Sequence, residues 1–533
     1  MKDRKGTAAK AVPFRSWADE RILKERSLIH LHRGSPLRIA LVYPNTYEVG
    51  MANLGFQTVY RLFNEHPNVI CERVFALVPM NEIRSLESGS LLESFDLIGF
   101  SLSFEMDIPH LIRCLKTGRL SPLARDRTSK DPLVFIGGVV AGLNPSPLLP
   151  FVDGLLVGEA EDIIGPMAEI MLTHRPRYRN RRRRLQALAE LEGIYIPSLH
   201  TRVTRHRLST LEPFPAYTGI LTPYSHFEDL FVIEVSRGCM RNCRFCAAQK
   251  VYAPYRFRST DSVLETIAKY NPGTHRIGLE GAGISDYPGL ESLVGSLVET
   301  GYSVNLSSIR ADRITNPLVK YLEKGGLKTF AMAPEAGNQE LRDRMGKRLF
   351  DEAILTAADR LRNSSINTLK LYFIIGFPGE TDADVESVID LIGSIYKCFV
   401  DRPHRGLKIS INAFIPKPFT EMQWAPMNTE KELRRKRKII RQGISRYPSI
   451  QWSTRRAAEE VFQGLLSVGD ARMSEVLLSM EEGVNWKQAM KEKEVDWKFL
   501  FREREHHDMP WSFIKSDIPE SDLYDSYLKN RAP

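Results

Sequence analysis

Short apolar runs alternate with helix-patterned segments in two successive series, and this alternation constrains the chain more than any other feature. LRIALVYP (37–44), FDLIGFSLS (95–103), PLVFIGGV (132–139) and GLLVGEAE (154–161) are near-continuous apolar stretches. That is the pattern of parallel strands covered on both faces. Helical patterning between the first two, as in FQTVYRLFNEH, makes residues 37–170 a doubly wound α/β domain. The second series runs FVIEV (231–235), RIGLEG (276–281), SVNLSS (303–308), KTFAMAP (328–334), LKLYFII (369–375) and LKISINAF (407–414). Strands separated in this way by helical segments predict a (βα)6 partial barrel over 229–424. Thr381 with Asp384 reads as a capping box before VESVIDLIGSI, and Pro288 precedes a helix carrying Leu290, Leu293 and Leu297.

The other segments are read by composition. Residues 1–36 form an N-terminal arm, 171–228 a basic, proline-bearing linker, and 425–533 a charged, helical C-terminal region. The net charge of +9 is concentrated in two runs, RPRYRNRRRR (175–184) with +7 and KELRRKRKIIR (431–441) with +6, so the remainder is acidic. RNA or another anionic partner would suit such runs, and so would solvated loops and helix faces. No run reaches the roughly 18 apolar residues that span a bilayer. The N-terminus MKDRKGTAAKAVPF has no apolar core of a secretory signal, so a cytoplasmic location is expected.

Of six cysteines, three fall within eight positions, in SRGCMRNCRFC directly after the first barrel strand. Cys71, Cys114 and Cys398 stand alone in apolar or helix-like stretches and read as buried thiols, leaving no disulfide framework. Cys239, Cys243 and Cys246 have the spacing of thiolates wrapped around an iron–sulfur cubane. No fourth cysteine lies nearby, so one iron would stay open to a cofactor or substrate. Structural zinc is the competing reading, but it calls for four closed ligands, and His226 is the nearest histidine.

With this loop after the first strand, the sequence resembles the radical S-adenosylmethionine (SAM) superfamily over roughly residues 229–424. The resemblance implies a [4Fe-4S] cluster on Cys239, Cys243 and Cys246, with the methionine part of SAM on the open iron. One electron from a donor such as a flavodoxin or ferredoxin would then cleave SAM to a 5′-deoxyadenosyl radical that abstracts hydrogen from unactivated carbon. Phe245 precedes the last cysteine. In GLEGAGISDYP, Glu280, Gly281 and Gly283 occupy the place of the glycine-rich segment that holds the methionine moiety. Ser307, Ser308 and Arg310 end the third strand, where they would serve the carboxylate or ribose. Glu335 in APEAGNQE matches the cofactor-contacting acid after the fourth strand, and Gly376 lies in IIGFPGET, similar to the turn after the fifth.

The first domain resembles the Rossmann-like cobalamin-binding domains that precede the partial TIM barrel in some radical SAM enzymes. The residues concerned are Ser101, Ser103, Gly137, Gly138, Gly158 and Glu159. The loop NTYEVGMANLG (45–55) lacks the Asp-x-His-x-x-Gly that supplies an axial histidine. Three readings stay open: a cobalamin-dependent methyltransferase, a radical SAM enzyme without cobalamin that rearranges, couples or oxidises, and a nucleic-acid-binding protein with a structural cluster. Methylthiotransferases share the core but need three further N-terminal cysteines, and only Cys71 and Cys114 are present.

Overall fold

In this computed structural model, residues 13–78, 82–174, 177–506 and 509–531 are described, with the side chains of all but 177–180. The first domain is built on β1 (Leu37–Tyr43), whose apolar residues are buried on both faces. It continues through α2 (Leu54–Glu65), β2 (Val69–Phe75), β3 (Leu97–Ser101), α3 (Ile108–Thr117), β4 (Leu133–Gly137), β5 (Gly154–Leu156) and α4 (Ile164–Thr173). Strand order is β2-β1-β3-β4-β5, all parallel. The order reverses direction at β1, so the carboxyl ends of β1 and β3 flank a crevice of the kind that doubly wound sheets use for ligands. Ahead of the sheet, α1 (Phe14–Lys24) buries Phe14, Trp17 and Ala18 against it.

Two features depart from the sequence reading. VICERVF (69–75) forms the edge strand β2 although two charges interrupt its apolar run. Those charges are buried because they are paired: Glu72 with Arg38 at 3.0 Å, and Arg73 with Glu25 and Glu87, each at 2.7 Å. The expected linker is also packed structure. Its helix α5 (Arg177–Ala189) contacts α4, Arg181 bonds Asp153 at 2.6 Å, and Arg184 donates to the His174 carbonyl at 3.0 Å. Beyond it, β6 (Ile194–Tyr195) joins the sheet antiparallel to β5. Arg175 and Pro176 of the basic run lie outside the described residues.

The barrel follows with β7 (Phe231–Glu234), α6 (Thr260–Tyr270), β8 (Arg276–Glu280), α7 (Leu290–Glu299), β9 (Ser303–Leu306), α8 (Asn316–Lys324), β10 (Thr329–Glu335) and α9 (Asp351–Arg362). Next come β11 (Thr368–Ile375), α10 (Asp382–Phe399), β12 (Gly406–Ala413) and α11 (Glu430–Ile444). The capping box at Thr381 and Asp384 is formed. A seventh parallel strand, β13 (Ile450–Thr454), adds to β12 from within the region read as helical. Its sequence IQWST is polar and largely exposed, so periodicity gave no sign of it. The strands fall into two arcs, β7-β8-β9 and β10-β11-β12-β13, joined by the Ile309 amide bonding the Ala331 carbonyl at 3.1 Å. Helices α12 (Ala457–Val468), α13 (Met473–Glu481), α14 (Trp486–Glu492) and α15 (Glu520–Asn530) complete the chain. Among the described residues no helix is long and apolar enough to cross a membrane.

The Glu25–Arg73–Glu87 triad ties α1 to β2 with all three side chains under one-tenth exposed. Removing the cation leaves two buried carboxylates without their partner, a cost of about 3–5 kcal/mol. Arg73→Ala is therefore expected to lower the urea midpoint of the first domain's unfolding, followed by circular dichroism.

Candidate active site at the carboxyl ends of the barrel strands

The cysteine loop leaves β7 through Gly238 and is clamped on three sides. Arg241 forks onto Asp286 with its Nε and Nη2, and its amide bonds Cys239 Sγ at 3.4 Å. Arg244 bonds the carbonyl of Met345 through its amide at 3.0 Å and that of Arg344 through its guanidinium at 2.7 Å. The Cys246 amide bonds the Cys243 carbonyl at 3.1 Å, closing a tight turn between the second and third thiols. From β8, Gly281 and Gly283 press against this loop. A Cβ on Gly281 would sit 2.4 Å from Ser236 Oγ, and one on Gly283 would sit 3.3 Å from Cys239 Cα. These glycines therefore permit close approach, whatever else they contact.

Among the described residues no three His, Cys, Asp or Glu side chains converge as ligands of a single ion would. Cubane ligands need no such convergence, since each thiolate holds a different iron. The three thiols are half-buried and share one neighbourhood, while Cys71 and Cys114 are fully buried in the first domain, packed in separate core clusters, and Cys398 lies in α10. The donor set thus fits a cluster held by three thiolates with one iron open. Burial pushes the Cys243 thiol up to about 11 and raises Cys246 as well, so loading iron must displace protons.

Beside the thiols lies a pair of which the sequence reading caught only one member. Glu335 holds a left-handed backbone conformation, φ 71°, and its carboxylate bonds Lys347 Nζ at 3.0 Å. Burial opposes the charge on Lys347, but Glu335 and the Cys243 thiolate outweigh it and raise its pKa. No motif marks Lys347 in MGKRLF. Arg310 is occupied structurally: it bonds Asp312 and the carbonyls of Lys347 and Arg348, tying the end of β9 to this segment. Gly376 donates to Glu380 at 2.6 Å, and Glu380 pairs with Lys436 at 2.7 Å, so one cation of the second basic run holds the turn after β11.

Two cavities border the loop. One, of about 520 Å³, opens over the barrel and is lined by Phe245, Ser308, Glu335, Tyr372, Asn412 and Arg455, among others. Beside it, Ser307 Oγ is buried without a hydrogen-bond partner, an orphan that suits a bound polar ligand. The other, of about 470 Å³, lies between the domains and joins Ser101, Ser103, Gly138, Gly158 and Glu159 to Glu280 and Gly281. Gly138 and Gly158, both at positive φ, pack on the backbones of Leu102 and His206, whereas a Cβ on Gly137 would meet nothing within 4 Å. Glu159 is spent on Arg256, at 2.6 Å, and Arg237, at 3.3 Å. Burial would raise its pKa, but the hydrogen bonds from Arg256 and the charge of Arg237 hold it below the usual carboxylate range.

Comparison with known proteins agrees with this geometry. Residues 55–197 match the family model described as "Radical SAM proteins, N-terminal", and residues 233–392 that of the "Radical SAM superfamily". An uncharacterized protein of Methanocaldococcus jannaschii is 26% identical over 471 residues, covering 87% of this chain and 96% of that protein. A tRNA-2-methylthio-N(6)-dimethylallyladenosine synthase of Anaplasma phagocytophilum is 25% identical over 177 residues, 31% of this chain and 40% of its own length. Among solved structures, the radical SAM methyltransferase TsrM from Kitasatospora setae covers 74% of this chain and 77% of its own, at 14% identity and TM-score 0.48.

The contact between the β8 segment and the cysteine loop predicts a graded effect. Gly283→Ala should be tolerated with a small shift, whereas Gly283→Val should push Cys239 out of place and cut the iron retained after anaerobic reconstitution, measured by iron and sulfide analysis.

Proposed function

The chain belongs to the radical SAM superfamily, and on that premise we propose that it methylates an unactivated carbon of its substrate with cobalamin held in the cleft between its two domains. The observation that carries this reading is the cleft itself, where the carboxyl ends of β3 and β4 face those of β7 and β8. When bound, the cluster and SAM supply the 5′-deoxyadenosyl radical that takes hydrogen from carbon, and methylcobalamin supplies the methyl group.

The chain's own residues do the rest. Cys239, Cys243 and Cys246 bind three irons, and Phe245, Ser307, Ser308 and Glu335 border the space for the cofactor's adenosyl and methionine parts. Ser101 and Ser103 offer hydroxyls at the strand ends, and Thr58 Oγ1, buried in the cleft wall, lacks a partner. An apolar slot of about 80 Å³ continues from the cleft between Phe63, Phe135, Gly137, Leu156 and Met167, suited to the tail of a corrin. Loop 45–55 carries no histidine. A methylthiotransferase reading has no support here, because Cys71 and Cys114 are separately buried and cannot share a second cluster. Part of the two basic runs is committed within the chain, Arg181, Arg435, Lys436 and Arg437 being paired with its acids, while Arg182, Arg183, Lys431, Lys438 and Arg441 are exposed.

After anaerobic reconstitution the protein should hold about four irons and release 5′-deoxyadenosine when given SAM and a strong reductant, and Cys243→Ala should abolish both. Expressed with hydroxocobalamin, it should carry corrin absorbance. Gly137→Val, whose added carbons point into free space, should fold and cleave SAM yet lose the corrin. A wild-type chain that cleaves SAM but retains no corrin would replace this reading with radical chemistry that needs no cobalamin.

A further inference from the structure

Helix α11 divides its cations between two faces. Lys436 and Arg437 turn inward with Leu433, Ile440 and Ile444, to meet Glu380 and Glu460. Lys431, Arg434, Lys438 and Arg441 are exposed. They recur at intervals of three and four residues, so they share one face of the helix. Like charges at this spacing weaken a helix, and the stripe therefore does nothing for the stability of α11 itself.

At its amino end the stripe opens onto a groove of about 630 Å³ between α11, α14 and the short helical turn Trp497–Phe501. Five cations line it: Lys431, Arg434, Lys487, Lys498 and Arg502. Among the described residues two carboxylates answer them, Glu430 at 3.1 Å from Arg434 and 2.5 Å from Lys487, and Asp496 at 2.9 Å from Arg502. No carboxylate of those residues pairs with Lys431, Lys438, Arg441 or Lys498. The groove is thus positive beyond what the chain neutralises. Trp497 and Phe501, both partly exposed, complete its wall. Their rings meet edge to face at 5.6 Å, Trp497 rests on Trp486 at 5.7 Å, and Trp486 stacks on the buried Phe462. The rings are therefore anchored from the core outward. The turn that carries them is tied down by the Met427 amide, which bonds the Leu500 carbonyl at 2.9 Å. Asn428 Oδ1 lies 3.0 Å from where a Cβ on Gly376 would stand, so the groove begins beside the turn that follows β11.

We infer that this groove and the stripe leading from it dock a single-stranded segment of RNA. Cations that follow the phosphates and aromatic rings that stack on bases are the pairing by which single strands are held. An acidic peptide would satisfy the cations and leave the rings unused. A lipid surface calls for exposed apolar side chains along the stripe, which carries none. Splayed, unpaired bases are a standing feature of RNA loops, whereas DNA presents them when its duplex is opened. From Lys431 to Arg441 the stripe is about 15 Å long, the length of about four stacked nucleotides. The groove shares no lining residue with the cleft between the domains or the cavity over the barrel, so this assignment is independent of the cobalamin reading.

Fluorescence anisotropy of a labelled RNA hairpin with a loop of about a dozen nucleotides, titrated with the cluster-reconstituted chain, tests this. Saturable binding is expected, its logarithm falling linearly with the logarithm of salt concentration. Lys431→Gln combined with Lys438→Gln should weaken binding about tenfold and make that slope shallower by about 1.4, since each phosphate contact on a single strand contributes about 0.7. Phe501→Ala should weaken binding about tenfold and leave the slope in place, because it removes stacking and no charge. Lys498→Gln, at an exposed position that folding does not depend on, should flatten the slope by about 0.7 even if Phe501→Ala proves unstable. Arg182→Gln with Arg183→Gln, exposed in the first basic run, should change nothing. An equal loss in that last variant would reveal general attraction to a cationic surface and overturn the inference. So would absence of saturable binding, a slope unmoved by the α11 double substitution, or tighter binding of duplex RNA, single-stranded DNA or polyglutamate. Neither SAM nor reductant is present in the titration, so a failure of the radical reading would be seen separately.

Discussion

The arrangement of the whole molecule turns on one buried guanidinium. Arg237, immediately before the glycine that opens the cysteine loop, bonds Glu234 at the end of β7 and Glu161 in the first domain, each at 2.6 Å, and lies 3.3 Å from Glu159. Glu159 in turn is held by Arg256 through both oxygens. All four partners are largely buried, a costly arrangement unless every charge is matched and hydrogen-bonded. Here the matching is shared between two arginines and three carboxylates drawn from both domains. The position of the first domain and the base of the cysteine loop are consequently fixed by the same atoms, and the walls of the intervening cleft cannot drift independently of the thiols.

The same device recurs at smaller scale. Glu380 lies between the Gly376 amide and Lys436, Arg437 reaches Glu460, and Glu460 bonds the amide of Ala413 at the end of β12. Residues that read in sequence as a free basic helix face are the props of the barrel's upper edge. Lys436 and Arg437 are neutralised inside the protein, while Lys431, Arg434, Arg435, Lys438 and Arg441 of the same run stay exposed on the helix.

What could be read from sequence follows the range of the interactions involved. Continuous runs such as LRIALVYP and LKLYFII announce strands because burial on one or both faces depends on the residues themselves. The cysteine loop announces its chemistry because three thiolates at fixed spacing have few other uses. VICERVF was obscured because its two charges are satisfied by Arg38, Glu25 and Glu87, all remote in sequence. Lys347 and Arg455 were invisible for the same reason, since nothing local distinguishes them from surface cations. Arg310 shows the converse: its motif position pointed to a ligand, and the fold gives its guanidinium to backbone carbonyls and Asp312.

The seventh strand deserves a geometric reading. The bore of a barrel grows with strand number, and β13 extends the arc β10-β11-β12 by one strand while leading within two residues into α12. That helix carries Glu460 and Gln463, which line the upper cavity. Wall and roof are thus one continuous piece of chain, so a shift of the seventh strand would carry the roof of the chamber with it.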